Sequence, residues 1–178
     1  MTHHILTGPP GAGKTVLLRG LERAGIAVVE EAATDVIAWG QACGQDAPWE
    51  DAGFIDDILA LQQAREQRAG DGLVVFDRSP VCTLALSRFQ GRPDSPALVA
   101  AVDYLITNRR YDPRVFFVEG LDFITPTAAR TIDLDGARRF ADLHWKTYEG
   151  LGFDLVRVPP APAASRVARI MQGIGTAG

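Results

Sequence analysis

Cysteine, long apolar runs and an excess of positive charge are all scarce in this sequence. Its two cysteines, Cys43 and Cys82, stand apart and form no CxxC pair. Their isolation argues against a zinc site and favours a reducing, cytoplasmic compartment. No apolar run approaches the roughly 18 residues that a membrane-spanning helix needs, so we expect no membrane partner. The formal net charge of −4 gives no reason to expect nucleic acid as a partner.

What is present fits one globular domain. The chain has 178 residues, of which 47% are apolar and 22% charged, and this length allows a sizeable core. The first predicted strand begins at His3, so we expect no targeting peptide. We expect a single domain over residues 1–172 and a flexible tail over residues 173–178. The sequence leaves the oligomeric state open, a homodimer included.

The most specific feature is a phosphate-loop motif at residues 8–15. It fits the pattern Gly-x4-Gly-Lys-Thr without a mismatch and lies between a predicted strand, His3–Thr7, and a predicted helix, Lys14–Ala24. Backbone N–H groups of such a loop point at phosphate oxygens, and the following helix adds its positive end. We expect Lys14 to reach the β/γ-phosphates and the Thr15 hydroxyl to bind Mg²⁺. The residues expected to contact the nucleotide are Gly8, Pro9, Pro10, Gly11, Ala12, Gly13, Lys14, Thr15 and Val16.

Further apolar runs alternate with stretches of helical character. The runs are Ile26–Val29, Leu73–Phe76, Val115–Val118 and Phe153–Val158. With His3–Thr7 they predict an α/β fold whose five strands are parallel and joined by right-handed crossovers. A run as apolar as Ile26–Val29 is typical of a strand buried on both faces.

Two charged residues follow the third strand, at the sheet edge where such folds bind ligands. Asp77 is placed as a strand-end carboxylate that joins the Mg²⁺ shell would be, although a turn-forming aspartate is the alternative. Arg78 stands where ATPases that hydrolyse ATP for mechanical work usually have a catalytic glutamate. Because arginine stays protonated, it cannot activate water, but it can bind a phosphate or a second substrate. The pair therefore favours phosphoryl transfer over hydrolysis.

Glu30 and Glu31 follow the second strand and face the same crevice. A carboxylate there can accept the proton of an attacking hydroxyl, and we favour Glu31 for this role. The alternative, weighted equally, is that negative charge stabilises the start of the predicted helix Thr34–Cys43.

Arginines after the fourth strand are candidates to stabilise the charge of the transferring phosphoryl group. Arg130 lies in an irregular segment, whereas Arg138 and Arg139 lie in the first turns of the next predicted helix. We rank Arg130 first because its segment is the one expected to move, with solvated surface arginines as the alternative. Trp39, Trp49, Phe54 and Phe89 are expected to fill the core, and stacking of some of them on a planar substrate is the alternative. No role is assigned to His144.

In order along the chain, these motifs resemble small P-loop kinases of the nucleoside and nucleotide kinase type. They also resemble AAA-like ATP-binding proteins related to nicotinamide riboside kinase. The resemblance rests on Gly8–Thr15, Val28–Ala33, Val74–Pro80 and Val115–Val118. It implies a three-layer P-loop NTPase fold with strand order 2-3-1-4-5 and a short lid at about residues 120–133.

The resemblance includes one short motif that implies roles for individual residues. Asp77-Arg78-Ser79 is similar to the acidic-Arg-Ser motif of deoxynucleoside kinases. This implies that Asp77 lies near Mg²⁺ and that Arg78 lies near the phosphates and the acceptor hydroxyl. Glu31 falls where that family has its acidic residue after strand two.

We therefore expect a phosphotransferase that uses ATP or GTP with Mg²⁺ to phosphorylate a hydroxyl of a small molecule. The acceptor is nucleoside-like or another metabolite or antibiotic. One alternative is a P-loop ATPase or GTPase switch with a protein partner, and the missing glutamate after Asp77 counts against it. Another is a non-catalytic nucleotide sensor, against which the intact Lys14, Thr15 and Asp77 count.

Overall fold

The computed structural model describes residues 2–120 and 134–175, along which strands and helices alternate. The strands are β1 (Thr2–Thr7), β2 (Ala27–Val29), β3 (Leu73–Asp77), β4 (Arg114–Val118) and β5 (Asp154–Val158). The helices are α1 (Lys14–Arg23), α2 (Ala33–Ala42), α3 (Phe54–Arg68), α4 (Pro80–Phe89), α5 (Pro96–Thr107), α6 (Leu134–Gly150) and α7 (Ala163–Gly175), with a short 3₁₀ turn at Pro48–Glu50.

The five strands form one parallel sheet in the order β2-β3-β1-β4-β5. This confirms the predicted fold class and strand order. In the register, Leu6 of β1 lies beside Asp77 of β3 on one side and Phe116 of β4 on the other. The carboxyl ends of the three central strands therefore lie together, and the phosphate loop leaves the middle one.

Apolar clusters cover both faces of the sheet, which makes the fold three-layered. Successive residues of a strand point to opposite faces, so Ile5 and Leu6 belong to different clusters. The cluster that contains Ile5 includes buried side chains of α2–α6, and the cluster that contains Leu6 includes those of α1 and α7. Because both faces are covered, β3 and β4 are apolar over residues 74–76 and 115–118, whereas β1 also buries the polar side chains of His3, His4 and Thr7.

The structure corrects the expectation that the second strand is buried. Ala27 is exposed, and Val28 and Val29 are only half-buried. The reason is that β2 forms the edge of the sheet and pairs with β3 alone. Trp39 was also expected in the core, but it lies on α2 with 73% of its surface exposed.

Two predicted segments lie at the limits of the described residues. The lid and its Arg130 lie outside them, apart from Gly120. The last helix continues to Gly175, so residues 173–175 are helical where the sequence predicted a tail. No helix within residues 2–120 and 134–175 is long and apolar enough to cross a membrane.

Candidate active site

The loop between β1 and α1 is built on three glycines with positive φ. These are Gly8 at 139°, Gly11 at 81° and Gly13 at 86°, values that residues with a side chain rarely adopt. Gly8 also passes so close to β4 that a Cβ atom there would lie 2.2 Å from the Val118 carbonyl oxygen. The glycines of the motif are therefore required by backbone geometry as well as by access to a ligand.

Backbone N–H groups at the end of this loop are available to a ligand. Within the described residues, the N–H groups of Gly13, Lys14 and Thr15 have no hydrogen-bond acceptor. All three lie at the start of α1, where the helix dipole adds partial positive charge. Thr15 and Val16 are exposed on the first turn. The loop is therefore able to bind an anion such as a phosphate.

Lys14 is buried against its own loop. Its Nζ atom donates hydrogen bonds to the carbonyl oxygens of Gly8 and Pro9, each at 3.1 Å. Burial, with a smaller contribution from the charge of Arg78, lowers the pKa of Lys14 to about 8. The two carbonyl oxygens carry only partial negative charge, so a phosphate in the loop would be a stronger partner for the Lys14 ammonium group.

Asp77 ends β3 with a carboxylate that is almost fully buried. Its Oδ1 atom accepts no hydrogen bond from any described residue. Burial raises the pKa of Asp77, and Glu31 adds to this effect while Lys14 opposes it. A buried carboxylate oxygen without a donor suits a cation ligand. The described residues contain no group of three or more His, Cys, Asp or Glu side chains that could hold a metal. Mg²⁺ does not require such a group, because it is usually bound by one or two carboxylates together with phosphates and water.

Arg78 and Glu31 form an ion pair at the carboxyl ends of the neighbouring strands β3 and β2. Nε of Arg78 donates to Oε1 of Glu31 at 2.5 Å, with 10% and 24% of the two side chains exposed. Burial opposes the charge on Glu31, but Arg78 and Lys14 outweigh it and lower the pKa of Glu31 to about 2. Glu31 is therefore ionised at neutral pH and sits among cations.

The backbone of Arg78 is strained. Its φ of 77° lies in the left-handed region, which costs a side-chain-bearing residue about 1 kcal/mol or more. Its N–H donates to the Leu6 carbonyl oxygen at 2.9 Å, and the next residue, Ser79, caps α4 by accepting from the Val81 N–H. The turn thus leads the chain out of β3 at the point where the Arg78 side chain meets Glu31.

The two glutamates after β2 have separate environments. Glu30 is exposed and pairs with Arg19 of α1 at 2.5 Å, whereas Glu31 points to Arg78. Arg65 of α3 holds the backbone between them by donating to both carbonyl oxygens. The structure therefore directs Glu31, and not Glu30, toward the predicted site.

Of the three candidate arginines that the sequence named after β4, the structure describes two. Arg130 lies outside the described residues. Arg138 and Arg139 are exposed on α6, and Arg138 pairs with Asp135 of its own helix at 3.4 Å. Neither Arg138 nor Arg139 makes a hydrogen bond or an ion pair to the loop.

Sequence reasoning missed a buried polar network beneath the site. Nε2 of His144 lies 3.0 Å from Oγ1 of Thr7, the residue before the loop, and Oη of Tyr148 lies 2.7 Å from Oγ of Ser79. Cys82 joins the two pairs, since its Sγ lies 3.1 Å from Thr7 and 3.0 Å from Tyr148. The spacing of His144 and Tyr148, four residues apart on a helix, is the only signal in the sequence that they share a face.

Arg166 was also missed. It is 4% exposed and donates from Nη1 to the Ala12 carbonyl oxygen at 3.0 Å. A signal existed, because Arg166, Ile170 and Ile174 recur every four residues and so lie on the buried face of α7.

The strand order, the glycine loop and the charged residues at the strand ends together define a P-loop nucleotide-binding protein. A family described as an AAA domain matches residues 3–166. The chain therefore belongs to the AAA domain family. A comparison with curated proteins gives no match.

Solved structures with the same fold include two kinases. Shikimate kinase from Acinetobacter baumannii, in complex with shikimate, superposes with a TM-score of 0.62 at 16% identity, covering 99% of this chain and 94% of the kinase. Deoxyadenosine kinase from M. mycoides with bound dCTP gives 0.59 at 12% identity, covering 99% and 100%. At these identities the likeness establishes the P-loop kinase fold.

Proposed function

We propose that this protein is an ATP- and Mg²⁺-dependent phosphotransferase that phosphorylates a hydroxyl group of a small molecule. In this proposal residues 1–172 act as one kinase-like domain, and the acceptor is nucleoside-like or another metabolite or antibiotic. The observation that carries the proposal is the Arg78–Glu31 pair at 2.5 Å beside the phosphate loop. It puts an arginine where a hydrolase would need a residue that activates water.

The solved structures support the class of reaction. Both shikimate kinase and deoxyadenosine kinase, as named, transfer a phosphoryl group to a small molecule. Each superposition also covers 99% of this chain. Because their acceptors differ from each other, the fold alone does not name the acceptor of this protein.

Residues of the loop, together with Asp77, would bind the nucleotide and its metal ion. The backbone of residues 8–15 would surround the phosphates, and Lys14 would leave its two loop carbonyls to bind the β/γ-phosphates. The Thr15 hydroxyl and the free Oδ1 of Asp77 would hold Mg²⁺. Such an ion neutralises charge on the β- and γ-phosphate oxygens.

Arg78 and Glu31 would act on the acceptor side. Arg78 is buried and charged, so it would stabilise the negative charge of the transferring group. Glu31 is ionised and would orient the acceptor hydroxyl and accept its proton late in the transfer. A pKa of about 2 makes Glu31 a weak base, which suits a loose transition state with little need for early deprotonation.

A cavity next to the helix that follows Glu31 is a candidate for part of the acceptor site. It has a volume of about 480 Å³ and lies between α2 and α3. Its wall includes the exposed indole of Trp39 and the carboxylates of Asp35, Asp51 and Asp57. Arg65 of α3 pairs with Asp35 and also donates to the Glu31 carbonyl oxygen, which connects the wall of the cavity to the residue of the ion pair.

The test is a screen of candidate acceptors with ATP and Mg²⁺, read as an added phosphate by mass spectrometry. Lys14→Ala should abolish transfer, whereas the matched control Lys146→Ala changes an exposed lysine on α6 and should leave it intact. ATP hydrolysis that no acceptor changes but a protein partner stimulates would instead support a nucleotide-dependent switch. Tight nucleotide binding without any turnover would support a sensor.

A further inference from the structure

A buried guanidinium lies directly beneath the phosphate loop. Arg166, in the first turn of α7, donates to three carbonyl oxygens: Ala12 at 3.0 Å, Glu119 at 3.2 Å and Val158 at 3.3 Å. These atoms belong to the loop and to the ends of β4 and β5. One side chain thus connects the loop to two strands and to the last helix.

This guanidinium has no carboxylate partner among the described residues. No acidic oxygen within residues 2–120 and 134–175 lies within 4.0 Å of it, and its Nε atom is buried without an acceptor. The nearby Glu119 is engaged by Arg157 at 2.7 Å. Carbonyl dipoles and the more distant carboxylate of Glu119 balance this buried charge only in part. Such a charge is costly, so an anion bound close by would be stabilised by it.

The hydrogen bond to Ala12 also sets the direction of the next N–H group. The carbonyl and the N–H of one trans peptide point in opposite directions. Because Arg166 holds the Ala12 carbonyl beneath the loop, the Gly13 N–H points to the other side, where no described residue accepts it. Nη1 of Arg166 would lie only 3.6 Å from a Cβ atom on Gly13, so the guanidinium is packed against this peptide.

We propose that Arg166 is a positioning residue of the nucleotide site: it orients the Ala12–Gly13 peptide for the diphosphate part of a nucleotide and places an unpaired positive charge behind it. The inference rests on the proposed nucleotide-binding function of the loop. Arg166 does not itself contact the reacting atoms; it acts through the Gly13 N–H and through its charge. The ligand class is a diphosphate, whichever base or acceptor is used.

The experiment measures the affinity of the full chain for ADP and for inorganic pyrophosphate by calorimetry, at a temperature where every variant is folded. Arg166→Met keeps the length of the side chain but removes its charge and donors. We expect a loss of about ten- to a hundredfold for both probes, the scale of a hydrogen bond that involves a charged group. Arg166→Lys keeps the charge but cannot bridge three carbonyls, so its loss should be smaller and measurable.

Val167→Ala is the matched control for a merely structural role. Val167 neighbours Arg166 and packs on Gly20 of α1, where an added Cβ atom would come within 2.6 Å of it. This change should lower the melting temperature and leave both affinities unchanged. If Arg166 only anchored α7, the two substitutions would behave alike.

The outcomes separate this inference from the proposed function. Wild-type affinity for ADP and pyrophosphate in Arg166→Met, or in Arg166→Lys should the methionine variant not fold, would overturn the inference. Lys14→Ala serves as the reference for the loop. If Lys14→Ala also bound both probes like the wild type, the proposed function itself would fail, whatever Arg166 did.

Discussion

The Glu31–Arg78 ion pair should contribute measurably to the stability of the fold. The fall in the Glu31 pKa from 4.5 to about 2 corresponds to roughly 3 kcal/mol in favour of the charged form. Lys14 and a hydrogen bond from Thr34 share this effect with Arg78. We therefore expect a coupling free energy of about 2 kcal/mol between Glu31 and Arg78, within the range for hydrogen bonds to charged groups.

A double-mutant cycle with Glu31→Gln and Arg78→Met isolates that coupling. Urea unfolding at pH 7, followed by tryptophan fluorescence, gives the free energy of unfolding of all four proteins. Because the folded-state pKa of Glu31 lies below its unfolded value, its contribution is complete above about pH 4.5 and is lost as the pH falls toward 2. The coupling should therefore shrink when the cycle is repeated at pH 3.

The neighbouring pair Glu30–Arg19 provides the control. It has the same 2.5 Å separation, but 48% and 56% of its side chains are exposed, so solvent screens it and its coupling should be much smaller than that of Glu31 and Arg78. If the Glu31–Arg78 coupling were no larger than this, the crevice would be as well solvated as the surface, and the low pKa of Glu31 would be wrong.

Two further predictions concern the strained turn and the buried histidine. Because Arg78 has a φ of 77°, Arg78→Gly should be more stable toward urea than Arg78→Ala by about 1 kcal/mol; an equal or lower stability of the glycine variant would contradict the strain. Burial, with repulsion from Arg78 and Lys14, lowers the pKa of His144 well below 6.5, so the unfolded chain takes up the proton first as the pH falls. Below about pH 6 the free energy of unfolding should drop by up to about 1.4 kcal/mol per pH unit on account of this residue. The free energy of unfolding of His144→Gln should not show this drop. An equal drop in the wild type and in His144→Gln would mean that the histidine is not its cause.

The phosphate loop and the strands were predictable because their signals are local. The motif at residues 8–15 follows from the backbone that its glycines allow, and β3 and β4 contain short apolar runs, whereas β1 was predicted from its position before the motif. The second strand shows the limit of this reasoning: its run is as apolar as the others, yet β2 is an edge strand and only half-buried. Burial depends on the number of neighbouring strands, which the run itself does not encode.

The charged residues of the site show a similar division. The sequence alone determined that Asp77 and Arg78 follow a strand and that a glutamate pair follows another. Only the tertiary structure decided which glutamate belongs to the site, because Arg19 from α1 forms an ion pair with Glu30 while Arg78 forms one with Glu31. That choice depends on the position of side chains from two other elements.

The contacts of His144 and Arg166 were decided by the tertiary structure alone. Their partners, Thr7 and Ala12, are 137 and 154 residues away along the chain, and no local pattern links residues so far apart. Helical spacing determines that Arg166 shares a face with Ile170 and Ile174, but not that this face packs under the phosphate loop. The sequence by itself therefore determined the loop and the order of its elements. Folding determined which distant side chains support it, because only the packed helices bring them within hydrogen-bonding distance.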